Sequence, residues 1–118
     1  METARQGFAA LADPTRQAIL GLLQTKVLTV GELAGQLTVS RPAVSQHMKV
    51  LKHAQLVREE RAGTRHYFGL NASGFAELRS QIDNMWQSAL TSFAAYVAHQ
   101  ESVKKLPARN QKRKESNP

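Results

Sequence analysis

Apolar residues spaced three and four apart mark most of this chain as helix, and alternation takes over in one stretch, between Leu56 and Leu70. The first helical pattern runs from Thr3 to Ala12, with Phe8 and Leu11 apolar, and breaks at Asp13-Pro14. Asp13 is a good N-cap and Pro14 suits a first helical position, so a second helix follows, with Ile19, Leu22 and Leu23 as its inner stripe. A third opens with a capping box, Thr29 with Glu32, and turns Leu33, Ala34 and Leu37 inward. Thr38-Val39-Ser40 makes a tight turn. Ser40 then caps a fourth helix, whose first turn holds Pro42, where a missing N–H breaks no helical hydrogen bond.

Helical spacing sorts that fourth helix into two faces: Val44, Met48 and Leu51 inward, Arg41, Ser45, Gln46, Lys49 and Lys52 largely outward. Two short helices broken by a polar turn, the second with basic and amide side chains on one face, are the sequence form of a helix-turn-helix. The outward chemistry suits base edges, since Gln pairs with adenine, Arg with guanine, and Ser bonds several bases. Lys49 and Lys52, further along, are placed for phosphate. The expected DNA-binding set is Ser40, Arg41, Pro42, Ser45, Gln46, Lys49 and Lys52, with Arg61 and Arg65 from the next element. Taken alone, the same polar row also fits a solvated surface.

The alternating stretch gives two extended runs joined at Ala62-Gly63, a β-hairpin with Phe68 and Leu70 on one face and Arg65 and Tyr67 on the other. A basic hairpin after a recognition helix is a wing, and Arg61 and Arg65 near its tip are positioned for backbone phosphate or a minor groove. Glu59 and Glu60 cut against a purely electrostatic wing. They are expected to pair with nearby Arg or to face away from DNA.

The run from Phe8 to Leu70 resembles the ArsR/SmtB family of winged-helix transcriptional repressors. FAALADPTRQAILGLL is similar to the family's first two helices, SRPAVSQHMKVLKHAQLV to its recognition helix and REERAGTRHYFGL to its wing. The fold class implied is mainly α with a small β-hairpin, a winged helix-turn-helix in the order α-α-α-α-β-β-α, homodimeric.

The last helical pattern, Ser73 to Gln100, is long for so small a domain. Phe75, Leu78, Ile82, Met85, Ala89, Phe93 and Tyr96 form one stripe, and Trp86, Leu90, Ala94 and Val97 a second beside it. One small winged helix does not cover both, which argues for a homodimer. The resemblance implies pairing through this helix together with the first. The expected dimerisation set is thus Phe8, Leu78, Ile82, Met85, Trp86, Ala89, Leu90, Phe93 and Val97. A symmetric dimer predicts an inverted-repeat operator with half-sites about 10 bp apart, or a small multiple.

At 118 residues the chain supports one domain, placed at 1–102, and its net charge of +7 favours a polyanionic partner. Six Lys and Arg against Glu101 and Glu115 concentrate a net +4 of that charge in residues 101–118. The tail 103–118 lacks apolar periodicity and is expected to be disordered, either adding nonspecific DNA affinity or only solubilising the chain. No apolar run has transmembrane length and Met1 to Arg5 show no signal peptide, so no membrane partner and a cytoplasmic location are expected.

The absence of cysteine removes thiolate metal sites and disulfide switching. Where family arsenic and cadmium sensors carry a cysteine motif, this chain has Val30-Gly31-Glu32-Leu33. The family's other metal site, on the dimer helix, uses an Asp and His two residues apart. Here Asp83 is followed by Met85, and His99 has Ser102 three residues on. No metal and no cofactor are therefore expected. His47 is expected to make a structural hydrogen bond, His53 to sit favourably at a helix C-terminus, and His66 to lie near DNA. His99, near Glu101, is the one pair that merits a metal test. Met85, Trp86, Phe93 and Tyr96 either are core or line a pocket for an unknown small-molecule effector; the favoured expectation is a regulator with no ligand, autoregulatory, controlled by its own abundance through repression of its own operon. Catalysis is not expected, because Ser45 and His47 do not share a helix face and the acidic residues are scattered. The alternative to a DNA reader is a winged-helix protein-interaction module without sequence-specific DNA binding.

Overall fold

The computed structural model describes residues 2–104, in the order α1 (Glu2–Leu11), α2 (Pro14–Leu22), α3 (Val30–Gln36), α4 (Arg41–His53), β1 (Val57–Ala62), β2 (Arg65–Leu70) and α5 (Ala72–Lys104). This is the expected helical fold with one antiparallel hairpin. Three of the helix starts rest on the side chains named from sequence. The Asp13 carboxylate accepts from the Arg16 N–H at 2.9 Å, Ser40 Oγ from the Ala43 N–H at 3.3 Å, and Thr29 and Glu32 complete a reciprocal box at 3.1 and 2.9 Å. Each satisfies donors that a helix end leaves orphaned.

The chain divides into two compact units, one up to Gln81 and one from Ile82 onward. In the first, Ile19, Leu33, Val44, Leu51 and Leu56 are fully buried, with Met48, Val57, Phe68 and Leu78 packed into the same cluster. Burial of each such side chain contributes about 1.5–3 kcal/mol before entropy is counted. On α2 the buried residues are Ile19 and Leu20, continued by Leu23 at its C-cap, while Leu22 is only half-buried.

Two connections carry more than the periodicity indicated. Leu28 pairs with Phe68 as an isolated antiparallel bridge, N–H to O at 3.0 and 2.8 Å, and so fastens the segment before α3 to the wing. At the end of α4, Gln55 adopts φ of +64°, with the Leu56 N–H donating to the Leu51 carbonyl and the Gln55 N–H to the Lys52 carbonyl, both at 3.0 Å. This is a Schellman ending with glutamine where glycine is usual. Gly74, in the first turn of α5, lies against it: a Cβ there would land on the Gln55 carbonyl oxygen.

Leu78, expected at a dimer seam, is instead core. Its δ-carbons lie 3.0 and 3.3 Å from where a Cβ on Gly7 would stand, so the bare backbone of α1 leaves it room. Phe8 is half-buried and packs against the same cluster. In the second unit α5 runs past Gln100 and past residue 102 to Lys104, because no helix breaker precedes Pro107. The rest of the expected tail, residues 105–118, lies outside the described residues.

Candidate nucleic-acid interface

At about 100° per residue, Gln46, Lys49 and Pro42 fall on the side of α4 opposite its buried Val44, Met48 and Leu51. All three are exposed, as are Ser40, Arg41, Ser45 and Lys52. Arg41 and Ser45 flank this face toward the wing. There they line a cleft with Pro42, Thr64, Arg65, His66 and the start of α3. The Arg41 guanidinium lies over Gly31, occupying the space a side chain there would take. Ser45, Lys49 and Lys52 line an adjoining groove together with Glu59.

The wing turns at Gly63, with φ of +65°, and pairs Glu59 with Phe68, Arg61 with His66 and Ala62 with Arg65. Side chains alternate across a strand pair, so Arg61 lies on the face shared by Val57, Glu59 and His66, and Arg65 on the opposite one. The two arginines, grouped together from sequence, thus serve different faces. A hydrogen bond with Tyr67, and after it the Glu32 carboxylate, hold the Arg65 guanidinium above its ordinary pKa.

The wing carboxylates do not both pair with arginine. Glu60 meets Arg58 of its own strand. Glu59 Oε1 takes the Lys52 ammonium at 2.6 Å, and Oε2 lies 2.5 Å from His66 Nδ1. The hydrogen bond from Lys52, and then the one from His66, keep the Glu59 carboxyl below the usual carboxylate range. Lys52, expected on phosphate, and His66, expected near DNA, are therefore both engaged within the protein.

Behind α4, His47 makes a structural contact of the expected kind. Its Nδ1 lies 3.2 Å from Arg16 Nη1 and 4.0 Å from Asp13 Oδ2. Arg16 also donates through Nε to the Ala10 carbonyl at 2.8 Å, so one guanidinium joins α1, α2 and α4. Because guanidinium is only a donor, the Arg16 bond requires an unprotonated Nδ1 on His47. The Asp13 carboxyl is lowered first by the backbone N–H of Arg16, against an opposing effect of burial, and further by the nearby Arg16 guanidinium.

In the second unit the expected interface residues Ile82, Met85, Trp86, Ala89, Leu90, Phe93 and Val97 are all exposed. The large ones range from 37% at Val97 to 65% at Trp86. Among the described residues no three His, Asp or Glu side chains group as a metal site, and no helix is long and apolar enough to cross a membrane.

A helix-turn-helix domain family model matches residues 11–60. Over 92 residues, 78% of this chain and 86% of the relative, the chain is 51% identical to the HTH-type transcriptional regulator Rv2034 of Mycobacterium tuberculosis. It is 38% identical to the transcriptional repressor SdpR of Bacillus subtilis, over 56% of this chain and 73% of that one. A solved ArsR-like transcriptional regulator from Rhodococcus sp. RHA1 superposes with a TM-score of 0.74 at 25% identity, covering 80% of this chain and 90% of that one. The chain belongs to the ArsR/SmtB family. It is a DNA-binding transcriptional regulator.

For this ArsR/SmtB regulator, sequence reasoning missed the role of Arg16 and the partners of Glu59. Both are contacts between elements. A charged residue in an amphipathic pattern carries no local sign of which distant carbonyl or lysine it will meet. The one available hint was Glu59 itself, an acid in a surface otherwise suited to phosphate.

Proposed function

We propose that the chain represses transcription in the cytoplasm by binding an inverted-repeat operator as a homodimer, without catalysis and without a bound metal. The exposed polar face of α4, with Gln46 and Lys49 outermost and the wing beside it, is the observation that carries this reading. Gln46 reads a base edge, Arg41 and Ser45 approach the groove wall, and Lys49, Arg61 and Arg65 take phosphates. The apolar strip of α5, with Asp83 and Glu101 as its acids from residue 82 to 104, supports the dimer, because an unpaired strip of this length is a liability in water. Relatives named as repressors support the sign of regulation.

Selection from a pool of random duplexes with the purified full chain tests the reading. The expected product is a two-fold symmetric site with half-sites about 10 bp apart, protected as a unit in footprinting. Recovery of no preferred sequence at physiological salt would favour a protein-interaction module instead.

A further inference from the structure

We propose that Glu59 is a positioning residue for DNA reading: it clamps the recognition helix to the wing and withholds Lys52 from the DNA backbone. The inference rests on the DNA-binding reading of this face. The carboxylate engages two elements at once, Lys52 in the last turn of α4 through Oε1 and His66 on β2 through Oε2, while itself standing on β1. With one partner on each oxygen, the group is fixed in orientation as well as place. Its side chain is 23% exposed, against 55% for Glu60, whose charge meets only the adjacent Arg58 in this network.

Stability does not account for the arrangement. Exposed ion pairs contribute about 0–1 kcal/mol, whereas an acid beside a DNA-facing groove repels every duplex. Glu59 nevertheless lines that groove, alongside Ser45, Lys49 and Lys52. A charge placed there weakens indiscriminate binding. The clamp also sets the wing at one distance from the reading face, so that base contacts and wing contacts form together only on a fitting site. Affinity is exchanged for discrimination.

The test compares the full chain and its variants on the duplex selected by the wild type and on a scrambled version of it, across a salt series. Glu59→Gln should bind the scrambled duplex about 3–10-fold more tightly, with a steeper salt dependence as one further phosphate is met per protomer, a slope change of about 1.8 for the dimer. Its preference for the selected duplex should fall about tenfold or more. Glu60→Gln removes the same charge without touching the clamp; it should tighten scrambled binding and keep the preference. Lys52→Met should leave the slope unchanged in the wild-type background and flatten it in Glu59→Gln. An unchanged preference in Glu59→Gln, uniformly weaker binding of both duplexes by it, or a flattened slope in Lys52→Met alone would overturn the clamp. If the wild type fails to separate the two duplexes, the DNA reading falls and the clamp with it.

Discussion

Residues up to Gln81 and residues from Ile82 to Lys104 carry the same kind of helical apolar periodicity, yet they use it differently. Among the described residues, fifteen hydrophobic side chains are buried in the first, and every one in the second is exposed. The first region supplies its own opposing surfaces, because six elements and the first turns of α5 fold over one another there. The second is a single helix, and a stripe on a single helix has nothing of its own to meet. Periodicity reports that a face is to be covered. It does not report by what.

The sharpest way to break this contrast is to charge the exposed strip. Leu90→Glu or Phe93→Glu should convert the protein to monomers by light scattering and weaken operator binding about 100-fold or more, since a lone unit engages one half-site. The thermal melt of the first region, taken at low protein concentration, should hardly change. A persistent dimer would show that the strip is not the interface.

Truncation in the core should behave oppositely. Leu51→Ala should cost about 2–5 kcal/mol at any protein concentration in denaturant titrations, because it opens a cavity in a closed cluster. A concentration-dependent loss would mean that the first region also depends on its partner.

Gln46→Ala should leave both folding and dimerisation intact and cost about 1–3 kcal/mol on the selected operator alone. Equal losses on all duplexes would remove base reading from that position and leave the exposed face of α4 as phosphate surface.

The smallest expected effect concerns pH. Asp13 has a folded pKa below its unfolded one, so its contribution is present above the ordinary carboxylate range and lost as pH falls through the folded value, below about 4. Melts of Asp13→Asn should retain the helix cap and show a slightly weaker acid dependence than the wild type between pH 3 and 5. Identical acid profiles would deny Asp13 a part in that dependence.

The starts of α2, α3 and α4 were legible because a cap is a local event: Asp13, Thr29 with Glu32, and Ser40 act within three residues of themselves. The two faces of α4 were legible for a similar reason, since one helix repeats its own pattern. Contacts across the fold were not. The Leu28–Phe68 bridge joins residues forty positions apart, and neither residue advertises it. Leu78 shares its stripe with Ile82, yet it lies in the core, where the bare backbone at Gly7 leaves it room. Gln55 carries no glycine signal for its left-handed turn, which is held by the two hydrogen bonds that close α4. The wing acids were recognised as out of place, and Glu60 does meet an arginine, Arg58, but Glu59 took Lys52 and His66 instead.

The glycine at position 74 makes a joint out of what looks like a simple junction. With only hydrogen separating its α-carbon from the Gln55 carbonyl, the opening turn of α5 bears directly on the terminus of α4. A methyl group at this position would force them apart. The opening turn of the last helix thus meets the end of α4 backbone to backbone, a contact that no side chain can relieve by choosing another rotamer.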